Sequence, residues 1–256
     1  MLKTRNELRL LAEEVLTGLG AKAATPNEYA SHELMDKANI DTDSWERDCV
    51  VQNLPDSEEK VLLRTILMPS LLEVLGEAAA AKEEAVRIYE IAKTYTKNYV
   101  IPGGAPFECL NLTLGAYGPE EGLEPLVNMI FALMEKLGVG PIEFISEPEY
   151  GTYHPETCMR MVTRDSQGQE VELGIVGRFH PTVAENFGFC ENAYGAELFF
   201  DLILEIAERA RQYHESIMQV SPTFDTEMLK AEAAQLDELE RQIKAMFGAM
   251  NCDIES

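Results

Sequence analysis

Apolar residues recur at helical spacing in some stretches of the chain and alternate with polar residues in others. Thr4–Leu19 has apolar side chains on one helical face and is followed by Gly20, the pattern of an amphipathic helix with a C-terminal glycine. Cys109–Tyr117 alternates, which predicts a strand with one buried face. Further helices are predicted at His32–Ala38, from Pro69 to about Lys82, and at Pro119–Leu137, Pro181–Phe187 and Leu202–Met218. Further strands are predicted at Cys49–Gln52, Val86–Tyr95, Ile142–Ser146, Met159–Thr163, Val171–Val176 and Ala193–Phe200.

These elements do not alternate strictly between strand and helix, as βαβ folds require. Several later strands follow one another directly, and the sequence DSQGQ at residues 165–169 predicts a hairpin turn between two of them. The pattern therefore predicts an α+β fold, with a mostly antiparallel sheet of about seven strands and helices on one face.

A separate amphipathic pattern occupies the end of the chain, after Pro222. Asp225–Met250 carries apolar residues near heptad spacing among alanines and glutamates, which predicts an extra C-terminal helix. We divide the chain into a core, residues 1–220, and a tail, residues 221–256. The pattern leaves open whether the tail helix packs on its own core or against a second chain.

The charge balance of the 256-residue chain is strongly acidic, with 45 Asp and Glu against 21 Lys and Arg and a formal net charge of −24. Because affinity for a phosphate backbone comes mainly from Lys and Arg, this balance disfavours autonomous nucleic-acid binding. No apolar run reaches the ~18 residues of a membrane span, and the N-terminus lacks the pattern of a signal peptide. The cysteines contain no C-x-x-C pair and fit a reducing cytoplasm: Cys49, Cys109, Cys158, Cys190 and Cys252.

Six segments, taken in chain order, resemble one protein family. Residues 49–75, CVVQNLPDSEEKVLLRTILMPSLLEVL, contain an Asn-x-Pro turn, Ser-Glu-Glu, Arg-Thr and Pro-x-Leu-Leu. The other segments are RIYEIAKTY (87–95), LEPLVNMIFALMEKLGV (123–139), YHPETCMRM (153–161), the G-x-x-G-x-x-H-P-x-V element that starts at Gly174, and YGAELFFDLILE (194–205). Over about residues 1–211 the chain resembles the bacterial and archaeal phenylalanyl-tRNA synthetase β subunit. Arg178 departs from the acid that this family usually carries before His-Pro.

The resemblance implies a class II aminoacyl-tRNA synthetase-like core, an antiparallel sheet flanked by helices. An active class II site grips ATP with one arginine on a central strand and another after a glycine-rich strand. In YGAELFFDLILE the only glycine is Gly195, no G-x-G-x-x-R pattern is present, and the next arginines are Arg209 and Arg211. The resemblance therefore implies a non-catalytic core that supports a catalytic α subunit, and we assign no catalytic residue and no cofactor.

Five residues are candidates for a pocket on the sheet. Arg64 and Arg87 lie in regions that face the sheet cavity in class II folds, although either could instead form a salt bridge with one of the many acids. Glu90 lies on the same predicted strand as Arg87 and could pair with a cation instead of lining a pocket. His154 and His180 each precede a proline, so each either caps the structure that follows or reaches a pocket.

No metal site is predicted. His154 and Cys158 are four residues apart, but a metal site needs three or four ligands, and Pro155 argues against a helix that would align the two.

Two functional interpretations follow. In the first, the chain is a structural pairing subunit in aminoacylation, either as a homodimer or beside an α-type synthetase subunit. Its pairing segments would be Leu8–Leu19 and Cys49–Leu72, the early helix and strand through which class II folds commonly dimerise. In the alternative, the chain is a free-standing paralogue that binds an amino acid or adenylate in the sheet cavity and has a repurposed enzymatic role.

Overall fold

The computed structural model describes residues 4–53, 60–99, 104–165, 168–189 and 192–220. The helices are α1 Arg5–Gly18, α2 His32–Lys37, α3 Met68–Ala80, α4 Leu123–Leu137, α5 Pro181–Phe187 and α6 Phe200–Val220, and Trp45–Arg47 forms one 3₁₀ turn. The strands are β1 Lys22–Ala23, β2 Tyr29–Ala30, β3 Val51–Asn53, β4 Lys60–Leu63, β5 Val86–Thr96, β6 Phe107–Tyr117, β7 Glu143–Ser146, β8 Met159–Arg164, β9 Glu170–Arg178 and β10 Ala193–Leu198.

Seven strands form the main sheet, in the order β1-β5-β6-β10-β9-β8-β7, and β2, β4 and β3 form a small second sheet. The long hairpin β5–β6 pairs over its whole length, from Val86 opposite Tyr117 to Thr96 opposite Phe107. Among the strand pairs of the described residues, only β1 and β5 run parallel. The predicted α+β fold with a mostly antiparallel sheet is confirmed.

Helices cover both faces of the main sheet, so the prediction that they lie on one face was wrong. On one face α1, α4 and α6 pack on an apolar layer that includes Leu112, Leu114 and Leu198. On the opposite face α3 lies over β6, and an added Cβ at Gly115 would come within 3.0 Å of Leu71 and 2.9 Å of Leu75. We call this second face, which also carries α5, the α3 face.

Several predicted boundaries were wrong for local reasons. α4 begins at Leu123 with Gly122 as its N-cap, so Pro119 lies in the preceding turn and not at the first helical turn. The last strand ends at Leu198 and α6 begins at Phe200, which shortens the predicted strand and lengthens the predicted helix. The pattern also missed β1 and β2, because two-residue strands are too short to show an alternation.

The predicted tail helix, within residues 221–256, lies outside the described residues. Within the described ranges, no helix combines the length and the apolar character that crossing a bilayer would require.

Candidate functional site

One row of side chains crosses the α3 face of the main sheet. Strand pairing places Glu90 of β5 opposite Thr113 of β6, and Thr113 opposite Glu197 of β10. Glu197 is in turn opposite Ile175 of β9, and Ile175 is opposite Arg160 of β8. Because directly paired residues point to the same side of a sheet, these five side chains lie next to one another. The row therefore sets two carboxylates and one guanidinium across the face that α3 covers.

A cavity of about 210 Å³ lies at the β10–β9–β8 end of this row. Charged and aromatic side chains predominate in its walls, which combine four carboxylates, one guanidinium, three aromatic rings and a few small or aliphatic residues. The lining residues are Trp45, Glu46, Ile66, Glu147, Tyr150, Arg160, Glu172, Gly174, Ile175, Glu197 and Phe199.

Glu197 joins the sheet to the start of α3. Its carboxylate accepts hydrogen bonds from the backbone N–H groups of Leu67 at 2.8 Å and Met68 at 2.9 Å, and from Nδ2 of Asn111 at 3.0 Å. Burial of the side chain outweighs these bonds and raises the pKa of Glu197 to about 7. At neutral pH this carboxyl group therefore exists in both protonated and ionised forms.

Glu46, in the 3₁₀ turn, is a second buried acid in the cavity wall. It is 4% exposed, and its carboxylate accepts hydrogen bonds from the hydroxyl groups of Tyr150 and Ser44. Burial raises the pKa of Glu46, and these two hydroxyls oppose that rise. Within the described residues, no ion pair joins a Lys, Arg or His side chain to Glu46 or to Glu197.

Arg160 is the cation in the cavity wall, and acids surround it. Its Nε donates to Glu147 at 3.0 Å, and its Nη1 donates to Glu170 at 3.1 Å and to Glu172 at 3.3 Å. These three carboxylates more than balance its charge, so the cavity as a whole has a negative electrostatic potential.

Arg64 and Glu90 form a buried pair at the other end of the row. Both guanidinium Nη atoms reach the carboxylate, at 3.2 and 2.9 Å, and the two side chains are 4% and 8% exposed. Burial raises the pKa of Glu90, and the charge of Arg64 opposes that rise. The structure thus joins two of the predicted pocket residues to each other, and neither lines the cavity.

Arg87 lies on β5 but is held at the turn before α4. Its guanidinium forms a bidentate ion pair with Glu121, at distances of 2.8 to 3.3 Å, and donates to the backbone oxygen of Leu19 at 2.7 Å. Arg87 therefore does not line the cavity either.

His154 and His180 lie beside each other, with ring centroids 6.3 Å apart. Each accepts at Nδ1 a hydrogen bond from the backbone N–H two residues later, from Glu156 at 3.3 Å and from Thr182 at 3.2 Å. His180 is the N-cap of α5. Both rings thus cap the chain that follows them, and neither lines the cavity.

Sequence reasoning missed the acids and the tyrosine that line the cavity. One signal was available: Glu197 stands between apolar residues in AELFF, and a charge inside an apolar strand indicates a buried, partnered group. Glu46 and Tyr150 have no comparable signal, because they lie in irregular segments far apart in sequence.

No group of three or more His, Cys, Asp or Glu side chains in the described part of the chain converges closely enough to hold a metal ion. His154 and Cys158 do not form such a site, and burial raises the pKa of the Cys158 thiol to about 12. At neutral pH that thiol is protonated, the form that does not bind metals.

Comparison with known proteins places this fold in a family. A family sequence model described as "Phenylalanyl tRNA synthetase beta chain CLM domain" matches residues 1–200. The chain belongs to this family. The resemblance inferred from the six sequence segments is confirmed.

Curated relatives named phenylalanine–tRNA ligase β subunit are similar over most of the chain. The protein of Clostridium acetobutylicum is 28% identical over 244 residues, which is 95% of this chain and 30% of the relative. The protein of Clostridium tetani is 28% identical over 205 residues, which is 78% of this chain and 24% of the relative. The chain thus spans less than a third of the length of these relatives.

Solved structures show the same fold. Pyrrolysyl-tRNA synthetase from Desulfitobacterium hafniense superposes with a TM-score of 0.61 at 20% identity, covering 80% of this chain and 70% of that one. The class II synthetase-like core predicted from the sequence is confirmed at the level of fold.

Proposed function

We propose that this chain is a non-catalytic, synthetase-like body that pairs with an α-type synthetase subunit in phenylalanine aminoacylation. The family supports the assignment, because its curated members are named as the β subunit of a phenylalanine–tRNA ligase. A subunit so named works beside another chain. We further propose that the protein acts in the cytoplasm and does not bind nucleic acid on its own, in keeping with its net charge of −24.

The buried ion pair of Arg64 and Glu90 is the observation that carries the non-catalytic part of the proposal. A class II site needs guanidinium groups that are free to grip phosphate, but both Nη atoms of Arg64 already contact a carboxylate. Arg87 and Arg160 are likewise engaged by acids. A triphosphate placed at the cavity would meet four carboxylates, so its binding would be opposed by charge.

The outward faces of the predicted pairing segments supply the docking surface in this proposal. The inner stripe of α1, Leu8, Ala12 and Leu16, is buried within the chain's own core. The two most exposed large apolar side chains that the structure describes in these segments are those of Leu10 in α1 and Val51 in β3, each 54% exposed. We expect one or both to be covered in the complex. The tail, residues 221–256, is a second candidate contact.

Co-expression with a phenylalanyl-type α subunit tests the pairing. The two chains are expected to co-purify and to run as one species in light scattering. The variants Leu10→Asp and Val51→Asp should weaken this association, whereas Phe107→Asp, at a 49% exposed apolar residue outside both segments, should not. A stable monomer that recovers no α chain contradicts the proposal, and a homodimer would assign the surface to a second copy instead.

Calorimetry with ATP tests the non-catalytic part. Saturable ATP binding at physiological concentration would contradict it, because phosphate binding would require a cation that is not already engaged. With this chain alone in the calorimeter cell, ATP should give no saturable heat signal, and the same preparation should still pair with the α subunit when the two are mixed afterwards.

A further inference from the structure

The cavity on the α3 face contains two buried carboxylates without a counter-charge. Glu46 is 4% exposed and Glu197 is 5% exposed, and both line the cavity. Their hydrogen-bond donors are hydroxyl, amide and backbone N–H groups, all of them uncharged. A buried carboxylate in a protein is normally paired with a cation or neutralised by a proton, because taking an ion out of water is costly, and burial raises the pKa of both groups here. The described residues place a cation beside neither group.

Tyr153 adds an independent unsatisfied group next to this wall. Its hydroxyl is buried and has no hydrogen-bond partner among the described residues. Its ring lies 5.7 Å from that of Tyr150, which does line the cavity. Burial raises the pKa of Tyr153, and Glu197 and Glu46 add to the rise, so the hydroxyl lies within the field of both carboxylates.

The volume and the lining of the cavity limit which kinds of molecule it could bind. A volume of about 210 Å³ is below the ~300–1,000 Å³ of sites for drug-sized ligands, so the occupant is small. Trp45, Phe199 and Ile66 offer apolar and aromatic surface beside the acids. Aromatic faces attract organic cations and pack against rings. A compact metal ion is disfavoured, because no three metal-ligating side chains converge within the described residues.

We propose that this cavity binds a small organic cation: a primary amine carried on a single aromatic ring or short apolar chain, with no carboxylate or phosphate of its own. The ammonium group lies against Glu46 and Glu197, and the apolar part packs between Trp45, Phe199 and Ile66. The wall formed by Arg160 and its acids excludes anions, since the guanidinium is already balanced. Free amino acids bind poorly, because their carboxylate meets the same negative walls.

Three probes with the same ring and different charge test this inference by calorimetry on the full chain: 2-phenylethylamine, phenylalanine and 3-phenylpropionate. The amine should bind saturably. Phenylalanine should bind at least tenfold more weakly, a difference of ~1.4 kcal/mol or more, because its carboxylate meets the negative walls. The propionate should show no detectable binding. Binding of phenylalanine as tight as that of the amine overturns the proposal. So does the absence of saturable amine binding up to millimolar concentration.

Two variants locate the site. Glu46→Gln removes the charge but keeps an oxygen for the Tyr150 hydroxyl, and should weaken amine binding about tenfold. Trp45→Ala changes a residue that is 55% exposed, so the fold should persist while ring packing is lost and the affinity falls. Glu83→Gln, at an exposed glutamate in the turn after α3, is the control and should leave the affinity unchanged.

Circular dichroism and thermal melting check that each variant is folded. If Glu46→Gln does not fold, the affinity of Trp45→Ala for the amine tests the location of the site instead. Amine binding that survives Trp45→Ala unchanged places the ligand elsewhere and overturns the assignment to this cavity. A rise in the melting temperature of the wild type with 2-phenylethylamine that is lost in Trp45→Ala supports the assignment to this cavity.

Discussion

Asn111 and Glu197 join the neighbouring strands β6 and β10 through a hydrogen bond from Nδ2 of the amide to Oε1 of the carboxylate, at 3.0 Å. The same carboxylate accepts the backbone N–H groups of Leu67 and Met68, so one side chain connects two strands with the first turn of α3. Its pKa is raised to about 7 by burial. The packing of α3 on the sheet is therefore coupled to a group that titrates near neutral pH.

This coupling predicts a pH-dependent stability. The folded-state pKa of Glu197 is about 7, above its ordinary value of 4.5, so the native chain binds more protons than the unfolded chain between these values. The contribution of Glu197 to the free energy of unfolding should therefore fall as pH rises from 4.5 to 7, by about 3 kcal/mol in total. Urea unfolding of the wild type and of Glu197→Gln at pH 5 and pH 8 measures this contribution.

The variant should lack this pH dependence, because the glutamine does not titrate. The difference in free energy of unfolding between the two proteins should thus change with pH, whatever the substitution costs at any one pH. Glu83→Gln, an exposed control, should follow the wild type. Parallel pH curves for Glu197→Gln and the wild type would contradict the raised pKa.

Breaking the pair of Arg64 and Glu90 should be strongly destabilising. Arg64→Met leaves a buried carboxylate without its cation, at a cost of ~3–5 kcal/mol in the free energy of unfolding. The double variant Arg64→Met with Glu90→Met removes both charges and should recover most of this loss. Denaturant unfolding of both single variants, Arg64→Met and Glu90→Met, and of the double variant gives the coupling energy, and a double variant no more stable than Arg64→Met would contradict a direct pair.

Gly195 should not tolerate alanine. An added Cβ would come within 2.3 Å of Cζ of Phe179, whose buried ring is stacked on Tyr153 and packed against Phe189 and cannot move freely. Gly195→Ala is expected to lower the free energy of unfolding by ~1–3 kcal/mol.

Gly18 is the matched control. It is the last residue of α1, and an added Cβ there meets nothing within 4 Å. Gly18→Ala should be neutral or stabilise by up to ~1 kcal/mol, because alanine favours the helix. Thermal melts of the two variants separate steric cost from a general effect of losing a glycine.

The capping role of His154 predicts a loss of stability in acid. Burial lowers the pKa of His154 below its ordinary 6.5, and the charge of Arg178 lowers it further. As the pH falls, this histidine therefore takes up a proton in the unfolded chain before it does so in the native chain. The contribution of this ring is complete above pH 6.5 and is lost as pH falls through the folded-state pKa. The variant His154→Asn keeps an oxygen acceptor for the backbone N–H of Glu156 and removes the titration.

Relative to the wild type, His154→Asn should gain stability as the pH is lowered from 8 to 5, measured by urea unfolding. His32→Asn, at an exposed histidine at the start of α2, is the control. An unchanged difference between His154→Asn and the wild type across this pH range would rule out the titration of His154 as a contributor.

The sequence by itself determined the family, the fold class and most of the elements. These properties follow from local signals: the alternation in Cys109–Tyr117, the helical stripe of Thr4–Leu19, and short motifs in a fixed order. The prolines after His154 and His180 also indicated that these residues could cap the chain that follows, because proline restricts the backbone on both sides of its peptide bond, but the sequence left a pocket role open.

Only the tertiary structure decided which charged residues meet. Strand order places Glu90, Thr113, Glu197, Ile175 and Arg160 in one row, although they come from five strands spread over more than a hundred residues of sequence. The spacing of these residues along the sequence does not indicate which of them are paired across neighbouring strands. Whether an arginine binds a ligand or an internal acid depends on contacts between distant segments. Here folding pairs Arg64 with Glu90, and it leaves Glu46 and Glu197 in the cavity wall.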